Sequence, residues 1–305
     1  MKILTVLISI FLSMILIESS LRVLGLHKNI EYYTSSVYGY YKEKNQTIIK
    51  KNNKISLDEL GNRNDKKNTF QNSNLFFLGD SVTYGGSAVS DNELFTYLVA
   101  KKLKKNYLNI SANGWGIPNI INYVDSNNFI KENSTYILVC ISDCFTRNLR
   151  RREQNFFFGE NSKFATFNFF KYIVFQLNDH FLQNPYDHVV DYDRDNSHTI
   201  KYSINLLKQF DDRISGANSN LIILYSPYLK DYKYKISDGN PIFKQDIKNQ
   251  IFKNSKKVNL KIIDISRKLN KNQLDQFRKN YIDKVHLSKE GHSLYADIIL
   301  KVLNE

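Results

Sequence analysis

A series of short apolar runs, separated by stretches with helical spacing, indicates the fold of this chain. The runs are Leu75–Leu78, Tyr107–Ile110, Tyr136–Ile141, Leu221–Tyr225 and a weaker one at Leu260–Ile263. The stretches with helical spacing are Leu94–Leu103, Ile117–Ile130, Ile204–Phe210 and Ile247–Phe252. A short continuous apolar run indicates a strand buried on both faces, and alternation of such strands with helices is typical of a parallel sheet. We therefore predict an α/β fold, a three-layer α/β/α sandwich around a mostly parallel sheet.

The predicted α/β domain covers residues 73–305 and ends in a helix that Ser288 caps, with Leu294, Ile298 and Val302 on one face. An aromatic-rich segment at about 150–198 interrupts the alternation, and it forms either a lid or substrate wall or a layer packed beside the sheet. Residues 27–72 are polar, with tyrosines clustered early and no clean period. We expect this segment to be an irregular lead-in that packs on the domain through its tyrosines.

The N-terminus carries an uninterrupted run of apolar and hydroxylic residues from Ile3 to Ile17. As a helix the run is roughly 22 Å long, against about 30 Å for the hydrocarbon core of a bilayer. That length also fits a secretory signal, but no A-x-A-like cleavage site follows. For residues 1–26 we favour an uncleaved membrane anchor over a removed signal peptide, with a buried helix of the domain as a third alternative. Basic residues lie on both sides of the run, so the positive-inside rule does not decide its orientation.

The formal net charge of +13 and the pI near 9.4 raise the question of a nucleic-acid partner. The lysines are scattered, however, and the chain has no zinc-ligand spacing, no RNP-like motif and no basic arm longer than Arg150-Arg151-Arg152. A dispersed positive charge is typical of a solvated surface, and attraction to anionic lipid or to an acidic polysaccharide is the alternative. We predict no nucleic-acid partner.

Reactive or anion-stabilising groups occur at three places in the chain, and two of these places directly follow predicted strands. Ser81 stands in a turn directly after the first strand, in the sequence Gly79-Asp80-Ser81, where its hydroxyl is exposed and its backbone N–H is available. Gly114 lies in the loop after the second strand, and a glycine lets backbone N–H groups approach a substrate closely. Turn residues such as these also occur in ordinary loops.

An aspartate precedes a histidine by three residues just before the last helix, at Asp283 and His286. On a turn, the carboxylate accepts one imidazole N–H and leaves the other ring nitrogen to deprotonate a serine. The chain has six histidines, and the Asp283–His286 pair directly precedes a helix that Ser288 is predicted to cap.

The order of these motifs resembles the SGNH (GDSL-like) hydrolase family, membrane-anchored type. The resemblance runs from about Gly61 to the C-terminus and includes the lead-in Leu60-Gly61-x-Arg63 and the stretch GDSVTYGGSAVSDNELFTYLVAKKL. It implies the SGNH/flavodoxin-like sandwich, with Ser81 as nucleophile, His286 as base and Asp283 as its orienter. It also implies backbone oxyanion donors at Ser81 and Gly114. The family's third donor is an Asn side chain, and Ser142 occupies that position here.

The resemblance implies a serine ester hydrolase that needs no metal or organic cofactor. The substrate is expected to be a small ester or an acylated carbohydrate, and the domain is expected to lie outside the cytoplasm, in the periplasm or at the cell surface. Two alternatives remain: an O-acyltransferase with the same triad, and a non-catalytic binding or assembly module that retains the fold. Ser142 favours the last of these, because a serine hydroxyl is shorter than the usual amide.

Overall fold

The computed structural model describes residues 2–24, 29–50, 52–64, 67–149, 162–181, 196–228, 243–270, 272–273 and 277–305. The α-helices of these residues are α1 (Lys2–Val23), α2 (Ser81–Tyr84), α3 (Phe95–Leu103), α4 (Ile117–Ser126), α5 (Ser142–Thr146), α6 (Ala165–Phe181), α7 (Ser197–Gly216), α8 (Phe243–Lys257) and α9 (Lys289–Leu303). The strands are β1 (Tyr32–Ser35), β2 (Gly39–Lys42), β3 (Thr47–Lys50), β4 (Asn53–Ser56), β5 (Leu75–Gly79), β6 (Tyr107–Ser111), β7 (Thr135–Cys140), β8 (Asn220–Tyr225) and β9 (Ile262–Asp264). Short 3-10 turns lie at Asp91–Glu93, Ile265–Lys268 and Phe277–Asn280.

The main sheet has the strand order β6-β5-β7-β8-β9, and all its neighbouring strands are parallel. Its first strand along the chain therefore lies between the second and the third. This is the flavodoxin-like order of doubly wound sheets, in which the chain direction across the sheet reverses beside the first strand. Ligands bind at that reversal, outside the carboxyl ends of the strands.

Helices cover both faces of the sheet, which makes the molecule a three-layer sandwich. Phe76 and Leu78 of β5 pack in the core beneath α4, α7 and α8, whereas Leu75 and Phe77 pack beneath α3 and α9. Every residue of β5 is buried, which explains why this strand is a continuous apolar run in the sequence.

The predicted strands of the sheet are confirmed to within two residues. Helix α4 ends at Ser126 rather than at Ile130, because Asn128 takes a left-handed backbone conformation with φ 53°. Helices α7 and α8 extend beyond their predicted stretches at both ends. Ser288 caps α9 as predicted, and its Oγ accepts the Gly291 N–H at 3.2 Å.

The prediction that the lead-in is irregular was wrong. Two antiparallel hairpins lie within it, one formed by β1 and β2 and the other by β3 and β4. Their strands have four residues each, and all four residues of β2 are buried, so no alternation is visible in the sequence. Gly39 (φ 84°) and Asn52 (φ 63°) provide the left-handed conformations that the two turns need.

Helix α1 is exposed along its apolar run and is long and apolar enough to cross a membrane. Its last turns contact α6, a helix within the aromatic-rich insertion predicted at 150–198. Residues 150–161 and 182–195 of that insertion lie outside the described residues, so its role as a lid or wall stays a prediction.

Candidate active site

Ser81 occupies a tight turn at the carboxyl end of β5, the central point of the strand-order reversal. Asp80 precedes it, is fully buried, and accepts the Val82 N–H at 2.9 Å and the Cys144 thiol at 3.3 Å. A Cβ at Gly79 would lie 2.1 Å from Thr83 Oγ1, so only glycine allows α2 to pack this closely on the strand. The buried aspartate and the glycine together fix the Ser81 backbone, while the Ser81 side chain stays partly exposed.

The structure brings the predicted serine, histidine and aspartate into one hydrogen-bonded chain. His286 Nε2 lies 3.0 Å from Ser81 Oγ, and His286 Nδ1 lies 2.6 Å from Asp283 Oδ2. The other carboxylate oxygen of Asp283 accepts the backbone N–H groups of Val285 and His286, each at 2.8 Å. An aspartate three residues before a histidine thus holds both the ring and the backbone of that histidine.

The protonation states of Asp283 and His286 follow from these contacts. Burial raises the pKa of Asp283, but hydrogen bonds from the His286 ring and from the backbone of His286 and Val285 outweigh it and lower the pKa to about 2. An ionised carboxylate only accepts hydrogen bonds, so His286 Nδ1 carries the proton. His286 Nε2 then accepts from the Ser81 hydroxyl, as a general base must.

The loop that carries Asp283 and His286 is closed by backbone pairing. The N–H of Ile282 donates to His286 O at 2.9 Å, and Tyr281 forms an isolated antiparallel bridge with Leu287. The Tyr281 hydroxyl also donates to Pro227 O at 2.8 Å, just beyond β8. These bonds attach the loop to the sheet edge where Ser81 lies.

Gly114 lies in the loop after β6 with φ 73°, a conformation that favours glycine. The hairpin of β1 and β2 holds this loop through two side chains of β2. The Tyr40 hydroxyl donates to Asn113 O at 2.5 Å, and Lys42 Nζ donates to Ser111 O. The indole N–H of Trp115 donates to Tyr40 O at 3.1 Å in return. The tyrosine cluster, which includes Tyr40, predicted that this segment packs on the domain, but nothing in the sequence indicated that Tyr40, Lys42 or Trp115 holds this loop.

Ser142 begins α5, directly beyond β7, and its side chain is fully buried. Its Oγ lies 2.5 Å from the Tyr225 hydroxyl on β8. The next residue, Asp143, forms an ion pair with Arg147 at 3.2 Å and accepts the Tyr228 hydroxyl. At the position where the sequence resemblance implies an Asn, the structure therefore has a hydroxyl that already belongs to a buried hydrogen-bonded pair.

Arg63, which stands in the predicted lead-in motif, holds the segment that follows the Ser81 turn. Its fully buried guanidinium donates to Tyr84 O at 2.9 Å and to Gly86 O and Val89 O at 2.6 Å each. It also pairs with Asp91 at 2.8 Å. The motif in the sequence thus corresponds to a buried clamp on residues 84–91.

No group of three or more His, Cys, Asp or Glu side chains that could hold a metal ion occurs among the described residues.

No protein-family model matches the chain, and no curated protein matches it. Among solved structures, it is similar to a lipolytic protein of the G-D-S-L family from Veillonella parvula, with 16% identity, a TM-score of 0.45 and coverage of 76% of this chain and 98% of that one. It is also similar to an acetyl xylan esterase, with 15% identity, a TM-score of 0.44 and coverage of 75% and 98%. A third similar structure is a lipase/acylhydrolase from Enterococcus faecalis, with 13% identity, a TM-score of 0.41 and coverage of 75% and 94%.

Proposed function

We propose that this chain is a serine ester hydrolase in which Ser81 is the nucleophile, His286 the general base and Asp283 the residue that orients His286. The observation that carries the proposal is the hydrogen-bonded chain from Ser81 Oγ through the His286 ring to the Asp283 carboxylate, with links of 3.0 and 2.6 Å. It lies at the strand-order reversal of an open parallel sheet, where such folds bind ligands.

In the proposed reaction, Ser81 Oγ attacks an ester carbonyl carbon while His286 Nε2 takes the hydroxyl proton. The C–O bond to the alcohol then breaks, and His286 returns the proton to the departing oxygen. Water attacks the acyl-Ser81 ester in the second half, with His286 again as base, and releases the acid and free Ser81. Asp283 stabilises the imidazolium in both halves, and the scheme requires no metal or organic cofactor.

The proposed oxyanion donors are the backbone N–H groups of Ser81 and Gly114 and the hydroxyl of Ser142. In support, Gly79 at the end of β5 pairs with Ser111 on β6 and with Val139 on β7, so the loops that carry the three donors leave neighbouring strands at the same edge. Donors fixed in advance at such a point stabilise the charge that develops on the carbonyl oxygen.

The proposed substrate is a small acyl ester, such as acetyl, on a carbohydrate or another surface molecule. The resemblance of the anchored lead-in to SGNH proteins that handle surface polysaccharides supports this class. The exposed apolar helix α1 supports a membrane anchor, with the α/β domain on the extracytoplasmic side.

A fluorophosphonate probe tests the proposal, because it reports an activated serine without knowledge of the substrate. We expect the full chain in non-ionic detergent to be labelled, and Ser81→Ala and His286→Ala to lose the label. Ser87→Ala and His198→Ala are matched controls, since Ser87 lies six residues beyond the nucleophile and His198 is exposed on α7. If the folded wild-type chain took no label, that result would contradict the proposed hydrolase activity and favour a non-catalytic binding module.

A further inference from the structure

Between residues 164 and 174, at the start of α6, a stripe of apolar side chains is exposed. Phe164, Phe167, Phe170 and Val174 are 67%, 55%, 65% and 41% exposed, and they recur at three- and four-residue spacing on one side of the helix. The buried positions between them include Ala165 and the polar Asn168. A helix on the surface of a water-soluble protein has the opposite arrangement, with its apolar stripe toward the core.

The start of α6 is attached to α1 through a carboxylate. Glu18 accepts the backbone N–H groups of Ala165 and Thr166 at 2.8 and 2.9 Å, and the Thr166 hydroxyl at 2.5 Å. These amides belong to the first turn of α6 and have no partner within that helix. Arg22, which pairs with Glu18 at 2.6 Å, donates to Lys163 O at the same distance.

This attachment sets the level of α6 relative to a bilayer that α1 would cross. All apolar side chains from Ile3 to Ile17 are exposed, whereas Glu18 is half-buried and Leu21 is buried. The contact with the domain therefore begins where the exposed apolar run of α1 ends, and this contact places the start of α6 at that end of α1. Cleavage of α1 as a signal peptide would remove Glu18 and leave the first amides of α6 without their acceptor.

We propose that α6 is a second membrane-contacting element, which lies in the interface of a phospholipid bilayer beside the point where α1 emerges. The proposal rests on the part of the proposed function that makes α1 a retained anchor. The exposed stripe faces the acyl chains, and the chain has no acidic residue from 162 to 178, where a carboxylate would meet the headgroup phosphates. Lys163 and Lys171 flank the stripe, and Lys171 Nζ lies 5.1 Å from the ring centroid of Phe167. A lysine beside such a stripe extends its ammonium group to the phosphates.

The test places a tryptophan on the stripe and measures its quenching by brominated lipid. The full chain is reconstituted into phosphatidylcholine–phosphatidylglycerol vesicles whose acyl chains carry bromine. Phe170→Trp is compared with Tyr202→Trp, an exposed aromatic position on α7. The single native tryptophan, Trp115, is fully buried and gives both variants the same background. We expect Trp at position 170 to lose most of its emission in brominated vesicles and Trp at position 202 to lose little.

Flotation of the same samples separates the two proposals. If the chain does not float with the vesicles, both the anchor and the interfacial helix are wrong. If the chain floats and the two variants are quenched equally, anchoring by α1 is supported and the proposal that α6 contacts the membrane is wrong. Phe167→Trp repeats the measurement one turn earlier, and agreement between positions 167 and 170 supports a helix that lies along the surface. Fluorophosphonate labelling of the same samples tests separately whether Ser81 is an activated nucleophile.

Discussion

Asp283 uses both carboxylate oxygens to position His286. One oxygen accepts the ring N–H and the other accepts two backbone N–H groups, so rotation of the carboxylate would break three hydrogen bonds at once. This arrangement explains how a half-exposed aspartate can hold a histidine in one orientation, because each bond prevents the movement that would break the others. The other residue on which the candidate active site depends is Ser142.

The Ser142 hydroxyl is buried and forms a hydrogen bond with the Tyr225 hydroxyl. The direction of that bond decides whether Ser142 can donate to an oxyanion. If Tyr225 donates to Ser142 Oγ, the serine proton is available to the substrate oxygen. If Ser142 donates to Tyr225, the serine proton is not available to the substrate oxygen. The oxyanion role proposed for Ser142 requires the first arrangement, in which Tyr225 is the donor of this pair.

Ser142→Ala is therefore expected to lower kcat on the order of 10²–10³-fold, the usual effect of losing one oxyanion donor. Tyr225→Phe is expected to lower it about tenfold or less, since it removes only the bond that orients Ser142. Ser226→Ala is the matched control, because Ser226 is also buried beyond a strand end and also pairs with a tyrosine hydroxyl, that of Tyr295 at 2.8 Å. Hydrolysis of a soluble aryl acetate provides the measurement. A Ser142→Ala enzyme as active as the Ser226→Ala enzyme would exclude Ser142 as a donor.

At the scale of elements, the hairpin of β1 and β2 belongs to the candidate active site rather than to a linker. Tyr40 and Lys42 hold the backbone of the 111–114 loop, and Trp115 binds the hairpin in return. The Tyr41 ring stacks on Trp115 with centroids 5.0 Å apart. The position of the Gly114 N–H thus depends on residues some 70 positions earlier in the chain.

Tyr40→Phe is expected to lower kcat about two- to tenfold with little change in KM, because one hydrogen bond beside the proposed donor Gly114 is lost. Tyr33→Phe is the control on the same hairpin; it removes a hydroxyl that pairs with Tyr38 at 3.2 Å, away from the loop. Steady-state kinetics on the aryl acetate distinguishes the two. Equal kinetics for Tyr40→Phe and Tyr33→Phe would contradict a role of the hairpin in positioning the loop.

For the whole molecule, a histidine buried between helices is expected to make the free energy of unfolding depend on pH. His292 of α9 stacks on Phe95 of α3, and its Nδ1 accepts the Phe95 N–H at 3.3 Å. Burial, with smaller electrostatic contributions from Arg63 and His286, lowers the pKa of His292 to about 3. In the unfolded chain the pKa of a histidine is near its ordinary value of about 6.5.

The sign of the pH dependence follows from this difference. Below about pH 6.5 the unfolded chain binds a proton at His292 and the folded chain does not, until the pH approaches 3, so acid progressively favours unfolding. Between pH 8 and pH 5, His292 is expected to account for a loss of about 2 kcal/mol in the free energy of unfolding.

His292→Gln keeps an acceptor for the Phe95 N–H but does not titrate, so its stability is expected to fall less than that of the wild type over this pH interval. The measurement is urea denaturation of the detergent-solubilised chain at pH 8 and pH 5, with the exposed His198→Gln as control. Parallel losses in wild type and His292→Gln would show that other groups carry the acid sensitivity.

The strands, the order of the motifs and the cap at Ser288 are predictable from the sequence. The Asp283–His286 pair is also predictable, because an aspartate three residues before a histidine can fold back on a turn to accept the ring N–H. Each of these depends on burial or hydrogen bonding within one short segment, which leaves a local pattern in the chain. The hairpins of the lead-in left no such pattern, because their strands are short and partly buried on both faces.

The tertiary structure brings Ser81 to His286 across 205 positions and Ser142 to Tyr225 across 83. It alone attached Glu18 to the start of α6, some 148 positions later. Contacts of this kind depend on which strand ends meet at one edge of the sheet and on how helices pack across it. Neither depends on the identity of neighbouring residues in the chain, so no local period or spacing encodes them.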